Sequence, residues 1–468
     1  MTNSEPVDNP DPGSFRDPAG RIYAKDGRIF RTVTPSALDG YRAIRDSGAL
    51  EWAMNAGLVI GTREVDPRLL AGPASSSAFV LEHDRIPFVS YPYEWSFSAL
   101  KAAALHHLEL QIGLLDRGVS LSDASAYNIQ FIGPKPVFID VLSLKPYEEG
   151  EFWLGHKQFC EQFLNPLLLR SIFGVPHNSW YRGALEGIPT GDFARMLPLL
   201  KKFSLRMQVH VCLPNRFQRK ALAEDTGVVP AVTKRRLPRA GYLGLLTQLQ
   251  GWIAGLSLAD TGPTVWGSYA EENTYGSEER QAKKKFITEF ASSSRCHTLW
   301  DLGCNTGDFS KSALEGGAQY VIGFDYDLNA IDRAFARAKA ESMNLLPLLL
   351  DAANPSPGQG WDGRERKSLD DRKSSDAIVA LAFIHHLAIG RNIPLDRAVG
   401  WLVGLAPQGV IEFVQKTDPT VRKMLALRAD IFPDYTEEAF TAVLTSLARI
   451  TRREVVSSTG RTLYAYER

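Results

Sequence analysis

Cysteine is scarce in this chain of 468 residues: Cys160, Cys212, Cys296 and Cys304 are all it has, far apart and with no CxxC pair. A disulfide-stapled framework is thereby excluded, and the four read as reduced thiols of a cytoplasmic protein. No metal-ligand set at a recognisable spacing stands out, so no metal is expected. Long apolar runs are missing too; none reaches the roughly 18 residues of a membrane span. Residues 1–20, MTNSEPVDNPDPGSFRDPAG, lack an apolar core segment, so no secretory leader is expected, and residues 1–18 read as a disordered tail. Charge of one sign is absent: 53 basic residues balance 53 acidic ones. Bulk attraction to nucleic acid or to a membrane surface is therefore not expected. There is no internal repeat.

What is present suits a globular protein, with 44% hydrophobic and 23% charged residues. The length exceeds the roughly 250–300 residues at which single cores stop growing, so more than one domain is expected. The boundaries read as an α+β domain over 19–205, a helical and basic connector over 206–264, and an α/β domain over 265–468. In the connector, Arg216, Arg219, Lys220, Lys234, Arg235, Arg236 and Arg239 cluster around Pro230 and Pro238. A solvated linker explains that run better than a phosphate-binding strip.

The organising stretch is LWDLGCNTGDFSKSALEGGAQYVIGFDYD, Leu299 to Asp327. An apolar run, Thr298 to Leu302, meets a glycine-bearing turn. A short amphipathic helix follows from Phe309 to Leu314, and a second apolar run from Tyr320 to Phe324 ends on Asp325. Strand, turn, helix, strand and acidic residue make the first half of a nucleotide-binding α/β sheet. Gly303 and Gly307 let the backbone bend and approach a ligand closely. Asp325, at a strand tip, can bridge two ribose hydroxyls. The turn is not the dinucleotide fingerprint, since Asn305 and Asp308 stand where that fingerprint has glycines. Asp308 at the helix start would also repel a pyrophosphate, whereas acidic Asp301 suits a ligand carrying positive charge.

DLGCNTG resembles the D-x-G-x-G-x-G motif of class I S-adenosylmethionine-dependent methyltransferases, with Asn305 departing at the middle glycine. The rest of the second half extends that resemblance. Leu345 to Leu350 reads as a buried strand ending on Asp351, and Asp376 to Ala382 as a fourth strand running into Phe383-Ile384-His385-His386. Val410 to Val414 reads as the fifth, and a terminal hairpin pairs Ile450–Val456 with Thr462–Tyr466. The resemblance implies a Rossmann-like sheet closed by an antiparallel hairpin, with S-adenosylmethionine as cofactor. It implies cofactor contacts at Asp301, Gly303, Cys304, Asn305, Gly307, Asp325, Tyr326, Asp351 and Ala352. Aromatic residues ahead of the first strand (Trp266, Tyr269 and Tyr275) resemble a lid over the cofactor, through which Tyr269 would touch the sulfonium; core packing is the alternative. His385 and His386, at a strand's carboxyl end, are candidate bases, with capping or packing as the other reading. Asn354-Pro355-Ser356-Pro357 follows the third strand, not the fourth, and so is not the N-P-P-Y motif of amino-group methyltransferases. The implied acceptor is a small molecule, a glycan or a lipid.

In the first half, Asp26-Gly27 marks a hairpin within GRIYAKDGRIFRTV. Ser36–Gly57 reads as a helix, Ser77–Leu81 and Ile86–Val89 as strands, and SYPYEW as a hinge ahead of a long helix over Ser98–Leu115. LSDASAYNIQFIGPKPVFIDVL then places Asp123, Asn128 and Asp140 in an order that resembles protein-kinase and aminoglycoside-phosphotransferase folds. The resemblance implies Asp123 as base, with Asn128 and Asp140 as Mg²⁺ ligands. There is no glycine-rich phosphate loop, Arg31 lies where a lysine belongs, and Asp140-Val141-Leu142 replaces D-F-G. A phosphotransferase or nucleotide-binding protein is the alternative reading. YPYEWSFSALK, DASAYNIQF, WDLGCNTG, ALAFIHHLAI and IFPDYTEEAF together resemble a bacterial family of large two-domain methyltransferases related to host-specific nodulation proteins.

Overall fold

The computed structural model describes residues 8–212, 237–259, 277–426 and 428–468. The basic run from Arg216 to Arg236 and the aromatic residues Trp266, Tyr269 and Tyr275 lie outside those residues. Among the described residues, no helix is long and apolar enough to cross a membrane.

The first half opens on a four-stranded antiparallel sheet, β1 (Ile22–Lys25), β2 (Arg28–Thr32), β3 (Thr62–Val65) and β4 (Val80–His83), in the order β1-β2-β4-β3. Asp26 and Gly27, both at positive φ, turn the first hairpin. Where one helix is expected from Ser36, two form: α1 (Leu38–Asp46) and α2 (Ala49–Asn55). Gly48, at φ +71°, breaks them, because a left-handed residue cannot continue a right-handed helix. Thr62–Val65 escapes sequence reading because it is a polar edge strand without an apolar face. Ile86–Val89 forms no strand. Helix α3 (Phe97–Leu115) starts on Ser96, whose hydroxyl accepts from the Ala99 amide. Strands β5 (Val119–Leu121), β6 (Ile129–Ile132), β7 (Lys135–Phe138) and β8 (Leu144–Pro146) follow as two short antiparallel pairs. Helix α4 (Arg239–Ala254) packs on α3, with Gln111 donating to the Tyr242 hydroxyl at 3.2 Å.

The second half is one seven-stranded sheet, and its topology is the α/β fold that the methyltransferase resemblance implies. Helix α5 (Ser277–Ser294) precedes β9 (Thr298–Leu302), α6 (Asp308–Glu315), β10 (Tyr320–Asp325) and α7 (Leu328–Ala340). Then come β11 (Leu345–Leu349), β12 (Ala377–Ala380), α8 (Leu395–Leu405), β13 (Gln408–Phe413), α9 (Glu437–Leu447), β14 (Arg449–Val455) and β15 (Thr462–Glu467). The strand order is β11-β10-β9-β12-β13-β15-β14. The first five lie parallel, and β15 runs antiparallel to both β13 and β14. Strand order reverses at β9, whose neighbours β10 and β12 lead off in opposite directions. Ligands in such sheets lie at that reversal, beyond the strand carboxyl ends.

SYPYEW, between β4 and α3, also docks the first half against the second. Glu94 takes Arg372 in a buried two-pronged ion pair, at 2.5 and 2.9 Å, and Arg372 also donates to the Val89 carbonyl at 2.7 Å. Phe88 stands edge-on to Trp300 of β9 and Phe324 of β10, at 5.5 and 5.8 Å between ring centres. Asp332 of α7 accepts from the Ser98 amide at 2.8 Å, capping α3 from across the interface. One hydrophobic core runs through both halves, from Leu108 and Phe131 to Trp300 and Phe335.

Candidate functional site

The carboxyl ends of β9, β10, β11 and β12 enclose a cavity of about 410 Å³. The turn after β9 supplies Gly303, Cys304, Asn305 and Thr306 to its wall; β10 ends there in Asp325 and Tyr326, β11 in Asp351 and Ala352. The loop after β12 adds Leu381, Ala382, Phe383 and His386. The turn is held open by backbone geometry. Gly303 lies at φ +80° and Gly307 at +82°, and Asn305, at +49°, adopts the conformation that a glycine takes most easily. Asparagine tolerates this region better than other side-chain-bearing residues, which accounts for its place there. A Cβ on Gly303 would come within 3.2 Å of the Phe383 ring, so the turn and the loop after β12 abut.

Asp325 is locked in place by two amides, Asn305 N–H at 2.8 Å and Asp327 N–H at 2.8 Å, one on each carboxylate oxygen. Burial pushes its carboxyl up, with those two donors opposing the shift. Asp351 accepts from the Ala353 amide at 3.1 Å and faces the Arg391 guanidinium at 3.5 Å. Arg391 in turn lies over the Tyr326 ring, 5.5 Å from its centre. Asp308 does not carry the bare negative charge expected of it, because Arg280 and Arg337 both pair with it. The side-chain oxygen of Asn305 is buried in the cavity wall with no hydrogen-bond partner.

Three predicted contacts fall elsewhere. Asp301 lies beneath the turn, 2% exposed, accepting from the Ser310 hydroxyl at 2.6 Å. It orders the helix start from below and does not face the cavity. Gly307 begins α6 and packs against Leu345 rather than lining the wall. His385 is wholly buried, and neither ring nitrogen has a hydrogen-bond partner. Burial, together with His386, Arg461 and Lys283 nearby, holds its pKa well below the usual imidazole range. It is not among the residues that line the cavity. His386 does line the cavity, its ring centre 4.2 Å from that of His385; burial and then Arg461 lower it to about 4, so it is neutral at pH 7. Tyr269 lies outside the described residues.

Sequence reading missed what holds the loop after β12. Ala382 stands at φ +48°, a strained position for alanine, and its amide donates to Glu412 of β13 at 2.8 Å. Glu412 is completely buried and takes Lys283 of α5 at 2.7 Å; Arg461 lies 3.5 Å away and pairs with Asp418 at 2.8 Å. A signal existed: a lone carboxylate inside the apolar run Val410-Ile411-Glu412-Phe413-Val414 demands a buried partner. Arg280, Arg391 and Met424, also in the wall, carry no sequence signal.

Asp123, Asn128 and Asp140 do meet, in a second cavity of about 800 Å³ that is also lined by Arg31, Trp361 and Arg366. The Asn128 amide donates to Asp123 at 3.1 Å and to Asp140 at 3.4 Å. Arg31 bridges Asp140, at 2.6 Å, and Asp17, at 2.5 Å. Burial and then Asp140 push the Asp123 carboxyl up to about 7. The set is thus largely satisfied from within: Arg31 neutralises the carboxylate that would hold a metal, and Asn128 presents N–H rather than oxygen. This geometry lends no support to the phosphotransferase alternative.

No family model matches the chain. It is 48% identical over 456 residues to the nodulation protein NoeA of Rhizobium meliloti strain 1021, covering 97% of this chain and 95% of that protein. Among solved structures it is similar to the N-methyltransferase NodS of Bradyrhizobium japonicum WM9, at 16% identity and a TM-score of 0.31, over 41% of this chain and 97% of that one. It is similar also to the magnesium protoporphyrin IX methyltransferase ChlM of Synechocystis PCC 6803 with bound SAH, at 16% identity and a TM-score of 0.30, over 45% of this chain and 90% of that one.

Proposed function

We propose, for a chain that belongs to the family of the nodulation protein NoeA, that its second half is an S-adenosylmethionine-dependent methyltransferase acting on a small-molecule, glycan or lipid acceptor. The observation that carries this reading is the meeting of four strand tips on one cavity, with an acidic residue ending β10 and another ending β11. The donors and acceptors present fit the cofactor. Asp325 keeps lone pairs for two ribose hydroxyls beyond those its backbone donors use. Asp351 accepts at the adenine edge, beside Ala352 and Tyr326. The turn residues Gly303 to Thr306, which line the cavity, would receive the amino-acid portion.

When bound, the cofactor supplies a methyl group on a cationic sulfur for in-line displacement. The protein's share is alignment of the two reactants, which accounts for most of the acceleration in such a step. Phe383 and Leu381 exclude water from one side of the cavity. His386, neutral at pH 7, would contact the acceptor from the cavity wall rather than act as a strong base. The first half, in a kinase-like frame, supports acceptor recognition through its own cavity.

The test is to incubate the full chain with methyl-labelled cofactor and a cell extract, then identify what becomes labelled. Label should pass to one class of acceptor with the wild type and not with Asp325→Ala. If calorimetry showed no binding of S-adenosylmethionine or its demethylated product to the wild type, the reading would fail.

A further inference from the structure

Far from the strand tips, three side chains of the first half converge. His156 begins a helical turn over His156–Phe159, and Cys160 opens the π-turn Cys160–Leu164 directly after it. His210 stands in a second π-turn, Gln208–Cys212. Such turns are frequent at functional sites. His156 and Cys160, four residues apart, share a face. Cys160 is 1% exposed and His210 not at all.

We propose that His156, Cys160 and His210 form a zinc site that fastens the end of the first half onto its helical core. Their ligand atoms all lie within 4.8 Å of one another. His156 Nε2 is 3.0 Å from His210 Nδ1, and Cys160 Sγ is 3.6 Å from His156 Nε2. Tetrahedral zinc, with bonds of about 2.0–2.1 Å to nitrogen and about 2.3 Å to sulfur, sets its donors about 3.3–3.6 Å apart. Both distances from His156 stand within a few tenths of an ångström of that spacing.

The tautomer suits a metal as well. His210 Nε2 lies 2.9 Å from Gln248 Oε1 on α4. A carbonyl oxygen only accepts, so Nε2 carries the proton and the Nδ1 lone pair faces the cluster. This is the arrangement by which metal-bound histidines are held from behind. Trp153 and Trp252 flank the two rings, at 5.5 and 5.9 Å between centres, and shield the cluster. Without metal, His156 Nε2–H donates to His210 Nδ1 and the thiol stays protonated. Zinc would displace the thiol proton to solvent and the His156 Nε2 proton to Nδ1 of the same ring, which stays neutral, and water would fill the fourth position. One thiolate and two imidazoles with no carboxylate favour zinc over magnesium or calcium.

The full chain, stripped with a chelator, should bind one equivalent of Co²⁺ and develop a thiolate-to-cobalt charge-transfer band that Zn²⁺ abolishes. Cys160→Ala should remove the band and Cys296→Ala should retain it. Gln248→Leu, which leaves all three ligands in place, should weaken metal affinity about 10–100-fold. That last variant decides the matter if Cys160→Ala does not fold. A folded wild type that develops no band, a band that survives Cys160→Ala, or an affinity unmoved by Gln248→Leu would each overturn the proposal.

Discussion

Asn305 and Asp301 show how single residues shape the turn after β9. Replacing Asn305 by alanine puts a residue that tolerates the left-handed region less well at φ +49°, at a cost of about 1–2 kcal/mol; Asn305→Gly should avoid that loss, and thermal unfolding of the pair measures the difference. Asp301 ties stability to pH. Its carboxyl, ordinarily at 3.8, is pushed up to about 7 by burial, so the folded chain holds a proton that the unfolded chain releases. The resulting stabilisation is complete below pH 3.8, shrinks as pH rises, and is lost as pH passes about 7. Asp301→Asn keeps an acceptor for Ser310 and should flatten that decline in urea unfolding across a pH series. Flattening will be partial, because Asp123 is shifted the same way. The sequence displays both aspartates equally plainly, but not that Asp325 faces the cavity while Asp301 lies under it. Burial decides which role each takes, and burial depends on Ser310 and on the sheet above.

At the level of elements, strands whose two faces are both covered were the easiest to read, because a continuous apolar run bounded by glycine or aspartate is too short for most helices and too apolar for a loop. Thr298–Leu302 is found at the residues expected, and Leu345–Leu349 within one residue of them. Polar Thr62–Val65 had no such signature, and the break at Gly48 turns on one positive φ. Least legible were the supports between elements. Glu412 of β13, Lys283 of α5 and the strained Ala382 amide come from segments far apart in sequence, and only the assembled sheet brings them together. Glu412→Gln would remove the completely buried partner of Lys283, which keeps Glu279 at 3.0 Å, at a cost of about 1–3 kcal/mol. It should also weaken cofactor binding, because the loop that carries Phe383 and His386 loses its anchor. Denaturant unfolding reads the first effect and calorimetry the second; a midpoint unchanged from wild type would show that the buried pair does not brace the loop.

Across the whole molecule, the halves are joined by groups that neither could leave buried alone. Arg372, its side chain 3% exposed, is held by Glu94 and the Val89 carbonyl, while Phe88 covers the Trp300 and Phe324 rings of the sheet. In sequence, SYPYEW is hinge-like only through its position in the kinase-like order of the first half, which says nothing of what it packs against. Its partners, Arg372 and Ser356, lie in loops of the second half that carry no pattern of their own. Glu94→Gln leaves a guanidinium buried opposite a neutral amide and should cost about 3–5 kcal/mol, well beyond the roughly ±0.5 kcal/mol usual for surface changes. Because the broken pair lies between the halves, the loss should appear as one shifted unfolding transition, reported alike by tryptophan fluorescence and by far-ultraviolet circular dichroism. Two separated transitions in the wild type, with only one moved by Glu94→Gln, would show that the halves unfold independently and that the shared core contributes little to holding them together.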